Sequence, residues 1–209
     1  MVHTKNVRYL IVVTVKRETV SLIPAFELGL WNAWILIIPI IVISFLGSRI
    51  LGRRGSEEGS NVTKKGKTAS TLYFLIVLLS YAYSVFLPLE IDTVWFIVGL
   101  LIYLPFLLFL ITGLLNFATT PTDQPVTKGV YSISRNPMYV GDFMVNIGIG
   151  IACLSWLFLL WGILGFLLLR YYVMAVEEPF LTEKYGDTYK KFMKRTPRWI
   201  GPPKSEKRE

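Results

Sequence analysis

The residues of this chain that could take part in chemistry are few and unevenly placed. A single histidine, His3, and a single cysteine, Cys153, occur among 209 residues. These counts exclude a disulfide framework, a cysteine-based zinc or iron–sulfur site, a histidine metal cluster and a Ser-His-Asp triad, so we expect no metal centre. The remaining candidates are charged residues that flank or interrupt one long apolar stretch: Arg135, Asp142, Arg170, Glu177 and Glu178.

The elements that must position these residues are apolar enough to lie in a membrane. Hydrophobic residues make up 53% of the chain and charged residues only 17%, whereas a soluble domain has about 25% charged residues. On such a chain, the net charge of +8 favours a membrane surface over nucleic acid as the partner. Three uncharged runs, 28–48, 70–89 and 94–115, are each long enough to cross a bilayer as a helix.

The apolar stretch at residues 137–176 predicts a helical hairpin. As a single helix it would be roughly 60 Å long, about twice the hydrocarbon thickness of a bilayer. We therefore expect it to fold back near residues 153–156, which gives about five transmembrane helices in all. The expected fold is an all-α membrane protein with a C-terminal helical hairpin.

This hairpin brings charged residues together that are distant along the chain. It places Asp142 and Arg170 at similar depth, where they either form an ion pair or contact substrate. It also places Arg135 beside Glu177 and Glu178 at the cytoplasmic mouth, where one guanidinium and two carboxylates suit a zwitterionic ligand. Because adjacent helical residues point about 100° apart, we expect one glutamate to bind ligand and the other to pair or face water.

The distribution of basic residues predicts the topology. The loops at 49–69 and 116–138 and the C-terminal tail contain lysine and arginine, whereas the loop after the second span has only Glu90 and Asp92. The positive-inside rule therefore places the first three in the cytoplasm. The basic N-terminal segment opposes this arrangement, so its side of the membrane stays open. We expect residues 1–27 to lie at the interface and residues 203–209 to be disordered.

The segment after Glu178 predicts an amphipathic basic helix on the cytoplasmic side. Apolar and aromatic residues recur there at helical spacing, with lysines and arginines between them. We expect Gly186 to end or bend this helix and Trp199 to anchor it. The helix would serve as a membrane anchor, as a lid over a bound ligand, or as both.

Two segments around the hairpin resemble a known family. TKGVYSISRNPMYVG (127–141) is followed, after the hairpin, by EEPFLTEKYGDTYKKFMKRTPRWIGP (177–202). Together, in this order and at this spacing, they resemble the isoprenylcysteine carboxyl methyltransferase and phospholipid methyltransferase superfamily of integral membrane enzymes. The resemblance covers residues 116–202, which is under half of the chain.

The resemblance implies a methyltransferase that holds S-adenosylmethionine on the cytoplasmic side. The positions that match the family's cofactor contacts are Asn116, Asp123, Gln124, Pro125, Val126, Tyr131, Asn136, Pro137, Met138, Tyr139 and Glu177. The candidates for catalytic or substrate-contacting roles are Arg135, Asp142, Arg170 and Glu178. A carboxylate such as Glu177 suits the cofactor's ammonium, and backbone N–H groups where a helix begins suit its carboxylate.

Two departures from the family pattern concern the acceptor. Asn136 stands in place of the histidine of an R-H-P motif, and Val173 stands where isoprenylcysteine enzymes place a substrate-binding arginine. The expected acceptor is lipophilic and resembles an isoprenylcysteine carboxylate, with phospholipid amines and thiols as alternatives. If the acceptor is an amine, Glu178 or Asp142 is the candidate for removing its proton.

Two other classes of protein remain as alternatives: a membrane NADPH-dependent reductase of the sterol type, and a small non-enzymatic membrane protein. The preferred interpretation is a multi-pass enzyme whose partners are membrane lipids and a lipophilic or prenylated substrate. It divides the chain into an interfacial segment (1–27), three transmembrane helices (28–115), a cofactor-binding catalytic region (116–202) and a tail (203–209).

Overall fold

The computed structural model describes residues 27–54 and 64–203, and this part of the chain is helical. Its α-helices are α1 (Trp34–Arg54), α2 (Lys64–Ser84), α3 (Val94–Ala118), α4 (Pro137–Ala152), α5 (Trp156–Tyr172) and α6 (Glu178–Arg195). A 3₁₀ turn at Gly129–Ser132 precedes α4, and a π-helical turn at Val173–Glu177 joins α5 to α6. The expected all-α class is confirmed for these residues. The predictions for residues 1–26 and 204–209 lie outside them.

Two helical stretches among these residues are long and apolar enough to cross a membrane. They are α3 and the continuous helix Trp156–Arg195, which contains α5, the π turn and α6. The apolar part of α1, Trp34–Arg49, and helix α4 are shorter. The number of crossings therefore stays a prediction.

Helices α1 and α2 are displaced along the chain relative to the first two expected spans, 28–48 and 70–89, and each leaves out one end of the uncharged run. Residues 28–33 precede α1, and residues 85–89 follow α2. The two segments pair with each other: Ala33 N donates to Leu87 O at 2.8 Å, and Leu89 N donates to Trp31 O at 3.0 Å. The Asn32 side chain also donates to the carbonyl oxygens of Glu27 and Val85. This pairing satisfies backbone groups that a continued helix would otherwise satisfy.

The predicted hairpin is present. Helix α4 ends at Ala152, Leu154 has a φ of 49°, and α5 begins at Trp156. The Ser155 hydroxyl caps α5 by accepting a hydrogen bond from Phe158 N at 3.2 Å. Farther along the two helices, the rings of Phe143 and Phe166 stack with centroids 4.4 Å apart. Helices α4 and α5 therefore lie side by side.

Two glycines bring the backbones of α3 and α4 into direct contact. A Cβ atom on Gly99 would lie 2.5 Å from the Gly148 carbonyl oxygen, and one on Gly148 would lie 2.9 Å from Tyr103 N. Small residues at such crossings are typical of helices packed in membranes. The contact fixes α4, and with it the residues at the start of α4, against α3.

Apolar side chains cover the outer faces of these helices. Leu101 is 69% exposed and Leu108 is 63% exposed on α3, and Phe74 on α2 is 60% exposed. An extended apolar surface of this kind is unfavourable in water and favourable in lipid. Together with the two long apolar helices, it indicates a membrane protein.

Helix α6 bends where the sequence predicts. Gly186 has φ 55° and ψ −131°, a backbone conformation that favours glycine. Beyond the bend, Tyr189 and Phe192 are buried in a small core with Val126 and Tyr131. The bend therefore packs the second half of α6 against the loop that leads into α4.

Candidate active site

A cavity of about 390 Å³ lies among helices α1, α2, α3, α4 and α6. Its volume is within the range of about 300–1,000 Å³ that small-molecule sites occupy. Apolar side chains of α1 and α3 line one part of it, among them Ile40, Ile43, Leu110 and Leu114. The charged side chains that line it are Arg135, Asp142, Glu177 and Lys184.

Arg135, which lines the cavity, belongs to a partly buried cluster of two arginines and one glutamate. Arg135 Nη2 lies 3.1 Å from Glu178 Oε1, and the two side chains are 8% and 10% exposed. Arg198 binds the same carboxylate with two hydrogen bonds, Nε to Oε1 at 2.9 Å and Nη2 to Oε2 at 2.7 Å. These hydrogen bonds raise the pKa of Arg198 above its usual value. The cluster keeps one net positive charge, since it has two guanidiniums and one carboxylate.

The segment after α6 holds this cluster in place through the backbone. Arg135 N donates to Pro197 O at 2.9 Å, and Gly201 N donates to Ile133 O at 3.0 Å. The Asn136 side chain donates to Arg198 O at 3.1 Å. We call residues 196–201 the C-terminal strap. It ties the end of the described chain to the residues that precede α4.

The adjacent glutamates differ in what they contact. Glu178 pairs with the arginines and is absent from the cavity lining, whereas Glu177 lines the cavity. Tyr139 donates its hydroxyl hydrogen to Glu177 Oε2 at 2.8 Å. The division between one pairing glutamate and one facing the cavity agrees with the expectation from helical geometry. Glu177 ends the π turn, a feature often found at functional sites.

Arg135 lines the cavity and has one buried donor without a partner among the described residues. Within the part of the chain that the structure describes, its buried Nε has no hydrogen-bond partner. Buried donors are almost always paired, so this group is suited to a bound anion. Glu177 lines the same cavity and can accept an ammonium. The pair therefore suits a ligand with one negative and one positive group.

The loop residues expected at the cofactor fall into two groups. Pro125, Val126 and Tyr131 are buried and line the cavity. Asp123 and Gln124 are exposed and do not line it. Asn116 also lies outside the lining, and its side-chain oxygen accepts a hydrogen bond from Val130 N at 3.2 Å.

Asn116 therefore supports the loop at residues 129–130 from outside the cavity. A Cβ atom on Gly129, whose φ is 61°, would overlap the Asn116 side chain. This position thus requires glycine for both space and backbone conformation.

The start of α4 brings more of the predicted residues to the cavity. Asn136, Met138 and Tyr139 line it, and Pro137 is buried at the first helical position without lining it. Proline is favoured at this position because its missing N–H would have no helical partner. The R-N-P-M-Y segment thus forms a wall of the cavity.

Asp142 and Arg170 do not form the ion pair that was one of their two expected roles. Asp142 Oδ2 instead accepts a hydrogen bond from the Tyr73 hydroxyl at 3.0 Å, and Arg170 has an exposed side chain outside the cavity lining. Leu169 is buried against the other helices. Adjacent residues of a helix point about 100° apart, so Arg170 is directed away from that packed face.

Arg198 and Tyr73 are the site residues that sequence reasoning missed. Arg198 follows Lys194 and Arg195 in the sequence, and one more basic residue after a basic amphipathic helix is a weak signal for a partner of Glu178. Tyr73 lies in an apolar run, where tyrosine is equally typical of an interfacial belt. Trp199, expected as an anchor, packs against Phe166 with ring centroids 4.8 Å apart.

The fold has apolar outer faces and encloses a cavity with charged side chains in its lining. Residues 109–188 match the model of a family described as phospholipid methyltransferase. The match runs from α3 through the hairpin and the glutamate pair into α6, and it covers less than half of the chain. It confirms, over these residues, the resemblance predicted from the motifs. No curated protein and no solved structure matches the chain.

Proposed function

We propose that this chain is an integral membrane methyltransferase that uses S-adenosylmethionine and methylates a lipophilic acceptor. One observation carries the proposal. Arg135, with its unused Nε donor, and Glu177 line one cavity within a segment that matches the phospholipid methyltransferase family. The match favours methyl transfer over the sterol-type reductase and the non-enzymatic alternative.

The residues present fit the cofactor. Arg135 would hold the carboxylate of its amino-acid end, and Glu177, oriented by Tyr139, would hold the ammonium. Val126 and Tyr131 would bound the adenosine end, since both are cavity-lining and buried. When bound, the cofactor supplies a methyl group on a positively charged sulfur, which already reacts readily with nucleophiles.

The protein then contributes mainly position. Holding the acceptor atom about 3–3.5 Å from its target in the correct direction supplies much of the acceleration in such reactions. The apolar wall of α1 and α3 suits the hydrocarbon part of a lipid acceptor. The charged groups at the start of α4 and at the π turn suit the water-soluble cofactor. Two ligands of opposite solubility can thus meet in one cavity.

We also propose the membrane arrangement. Helices α1 to α5 would each cross the bilayer. Local thinning of the bilayer or the segments that flank α1, α2 and α4 would compensate for the shorter apolar length of these three helices. The loops before α2 and α4, and the C-terminal strap, would lie in the cytoplasm. This placement gives the cofactor access from the cytoplasm and the acceptor access from the lipid.

Calorimetry with S-adenosylhomocysteine, the product form of the cofactor, tests the proposal. We expect the purified full chain in detergent to bind it. Glu177→Gln should weaken the affinity about 10- to 100-fold, because a hydrogen bond to a charged group contributes roughly 1.5–3 kcal/mol. Glu183→Gln, the same change at an exposed glutamate of α6, should leave the affinity unchanged.

Folding of the Glu177→Gln protein would be checked by its thermal unfolding midpoint. A folded wild-type protein that binds no S-adenosylhomocysteine would overturn the proposed function. Equal affinities of the wild type and Glu177→Gln for S-adenosylhomocysteine would show that Glu177 does not contact the cofactor.

A further inference from the structure

We propose that Tyr189 lies against the positively charged sulfur of the cofactor and makes the site prefer the methyl donor over its neutral product. The inference rests on the proposed function and adds a residue that discriminates between the two forms of the cofactor. Its basis is a buried tyrosine of the cavity lining that adjoins the residues assigned to both ends of the cofactor.

The ring of Tyr189 belongs to the adenosine side of the cavity. Tyr189 follows the bend at Gly186 by three residues, is 3% exposed and lines the cavity. It packs in one core with Val126 and Tyr131, which are the residues proposed to bound the adenosine end. The ring of Phe192, with its centroid 5.9 Å away, supports it from the same helix.

The hydroxyl of Tyr189 lies within electrostatic reach of the residues assigned to the amino-acid end. Burial raises the pKa of Tyr189, and the carboxylates of Glu177 and Glu178 raise it further. The guanidiniums of Arg135 and Arg198 oppose this shift. Because the pKa is raised, the side chain is a neutral phenol and cannot serve as a base for the acceptor.

The sulfur atom connects the two ends of the cofactor, since it is bonded both to the amino-acid chain and to the carbon that carries the ribose. A side chain that adjoins both ends of the site therefore faces the sulfur. Tyr189 meets this condition, because its ring packs with the adenosine-side residues and its hydroxyl interacts with Arg135 and Glu177.

Other tyrosine hydroxyls of the cavity lining are already bonded to the protein. They donate hydrogen bonds as follows: Tyr73 to Asp142 Oδ2 at 3.0 Å, Tyr139 to Glu177 Oε2 at 2.8 Å, and Tyr185 to Thr122 O at 3.0 Å. Within residues 27–54 and 64–203, no hydrogen bond holds the Tyr189 hydroxyl. Its oxygen is therefore available to a ligand.

The formal charges of the lining do not by themselves select a cation. Asp142 and Glu177 are balanced by Arg135 and Lys184, which line the same cavity. Discrimination between a sulfonium and a thioether therefore needs a local contact.

A phenol can supply this contact without adding a charge. Its ring attracts a nearby cation through the electron-rich face, and its oxygen accepts weak hydrogen bonds from C–H groups such as those of a methyl on charged sulfur. Once the methyl group has been transferred, the sulfur is neutral and this attraction is lost. Tyr189 thus favours exchange of the product for a new methyl donor.

Calorimetry with S-adenosylmethionine and S-adenosylhomocysteine tests the inference in the full chain in detergent, with no acceptor added. The measured preference is the ratio of the two dissociation constants, and chromatography of the recovered ligand checks that no methyl group has been transferred. We expect the wild type to prefer S-adenosylmethionine about 3- to 30-fold, the range for a cation near an aromatic ring. Tyr189→Leu should abolish this preference, and Tyr189→Phe, which keeps the ring, should show an intermediate one.

Phe192→Leu is the matched control for packing. Phe192 is 4% exposed and lies in the same core as Tyr189. Its replacement should weaken the binding of both ligands alike and leave the preference unchanged. The thermal unfolding midpoint of each variant checks that it is folded.

Three outcomes would overturn the inference: no preference in the wild type, an unchanged preference in folded Tyr189→Leu, and an equal loss of preference in Phe192→Leu. In each case the cofactor still binds, so the proposed function stands. Failure of the folded wild type to bind either ligand would overturn both. If Tyr189→Leu does not fold, the preference of Tyr189→Phe decides: a reduced value supports the contact, and the wild-type value overturns it.

Discussion

Glu178 lies between two arginines, and its carboxylate is bonded to both Arg135 and Arg198. The carboxylate neutralises one of the two guanidiniums, so the other remains charged at the edge of the cavity. A glutamine at this position would leave two guanidiniums close together without a counter-charge. Removal of one partner from a buried ion pair typically costs about 3–5 kcal/mol.

We therefore expect Glu178→Gln to lower the thermal unfolding midpoint strongly in detergent. Asp187→Asn is the control, because the Asp187–Lys190 pair is exposed and such pairs contribute about 0–1 kcal/mol. Differential scanning fluorimetry of both variants checks this. Equal midpoints for Glu178→Gln and wild type would mean that the cluster does not stabilise the fold.

Among the helices, the length of the apolar stretch predicted the hairpin, whereas contacts between distant segments set where individual helices begin and end. The apolar stretch at 137–176 is too long for one crossing, so a turn near Leu154 followed from length alone. The π turn did not follow, because no local signal marks an extra residue in a helix. The beginning of α1 at Trp34 was also missed, since the backbone pairing of residues 28–33 depends on a segment about 50 residues away.

For the candidate site too, the sequence predicted some contacts and missed others. Arg135 and Glu177 were expected at one mouth, and both line the cavity. Asp142 was expected beside Arg170. Whether the two meet depends on the direction of the Arg170 side chain, which is set by the face of α5 that packs against the other helices. Arg198, the partner of Glu178, and Tyr73, the partner of Asp142, lie on segments whose positions relative to the site the sequence does not specify.

The bend at Gly186 gives a prediction for α6. A Cβ atom there would meet no neighbour within 4 Å, so the cost of Gly186→Ala comes from the backbone conformation alone, roughly 1–3 kcal/mol. We expect the variant to straighten α6, displace the cavity residues Tyr189 and Phe192, and weaken binding of S-adenosylhomocysteine. Calorimetry measures the change.

Gly162→Ala is the matched control on α5. A Cβ atom at Gly162 would make an ordinary 3.6 Å contact with Asn146, so alanine should be accepted without loss of affinity. If Gly186→Ala bound the ligand as tightly as Gly162→Ala does, the bend would not be required for the site.

At the scale of the whole molecule, the C-terminal strap joins the end of the described chain to the segment before α4. Truncation after Arg195 removes Arg198 and the hydrogen bonds to Ile133, Arg135 and Asn136. We expect this truncation to abolish binding of S-adenosylhomocysteine, whereas a chain that ends at Pro203 should bind normally. Equal binding by the two truncated proteins would contradict a role for the strap.

The proposed topology places Asp92 and Pro203 on opposite sides of the membrane, since three helices, α3, α4 and α5, separate them. We expect a membrane-impermeant maleimide to label Asp92→Cys in intact cells and to label Pro203→Cys only after permeabilisation, both in a Cys153→Ser background. Labelling of both positions from the same side would exclude three crossings between them.

The central claim is that Arg135 and Glu177 hold the zwitterionic end of the cofactor. The most direct measurement compares S-adenosylhomocysteine with 5′-methylthioadenosine, which keeps the nucleoside and sulfur but lacks the amino-acid end. We expect the wild type to prefer S-adenosylhomocysteine about 100-fold or more, as for two charge-assisted contacts, and the Arg135→Gln/Glu177→Gln double variant to bind both ligands with similar affinity. Equal affinity of the wild type for the two ligands would contradict the claim.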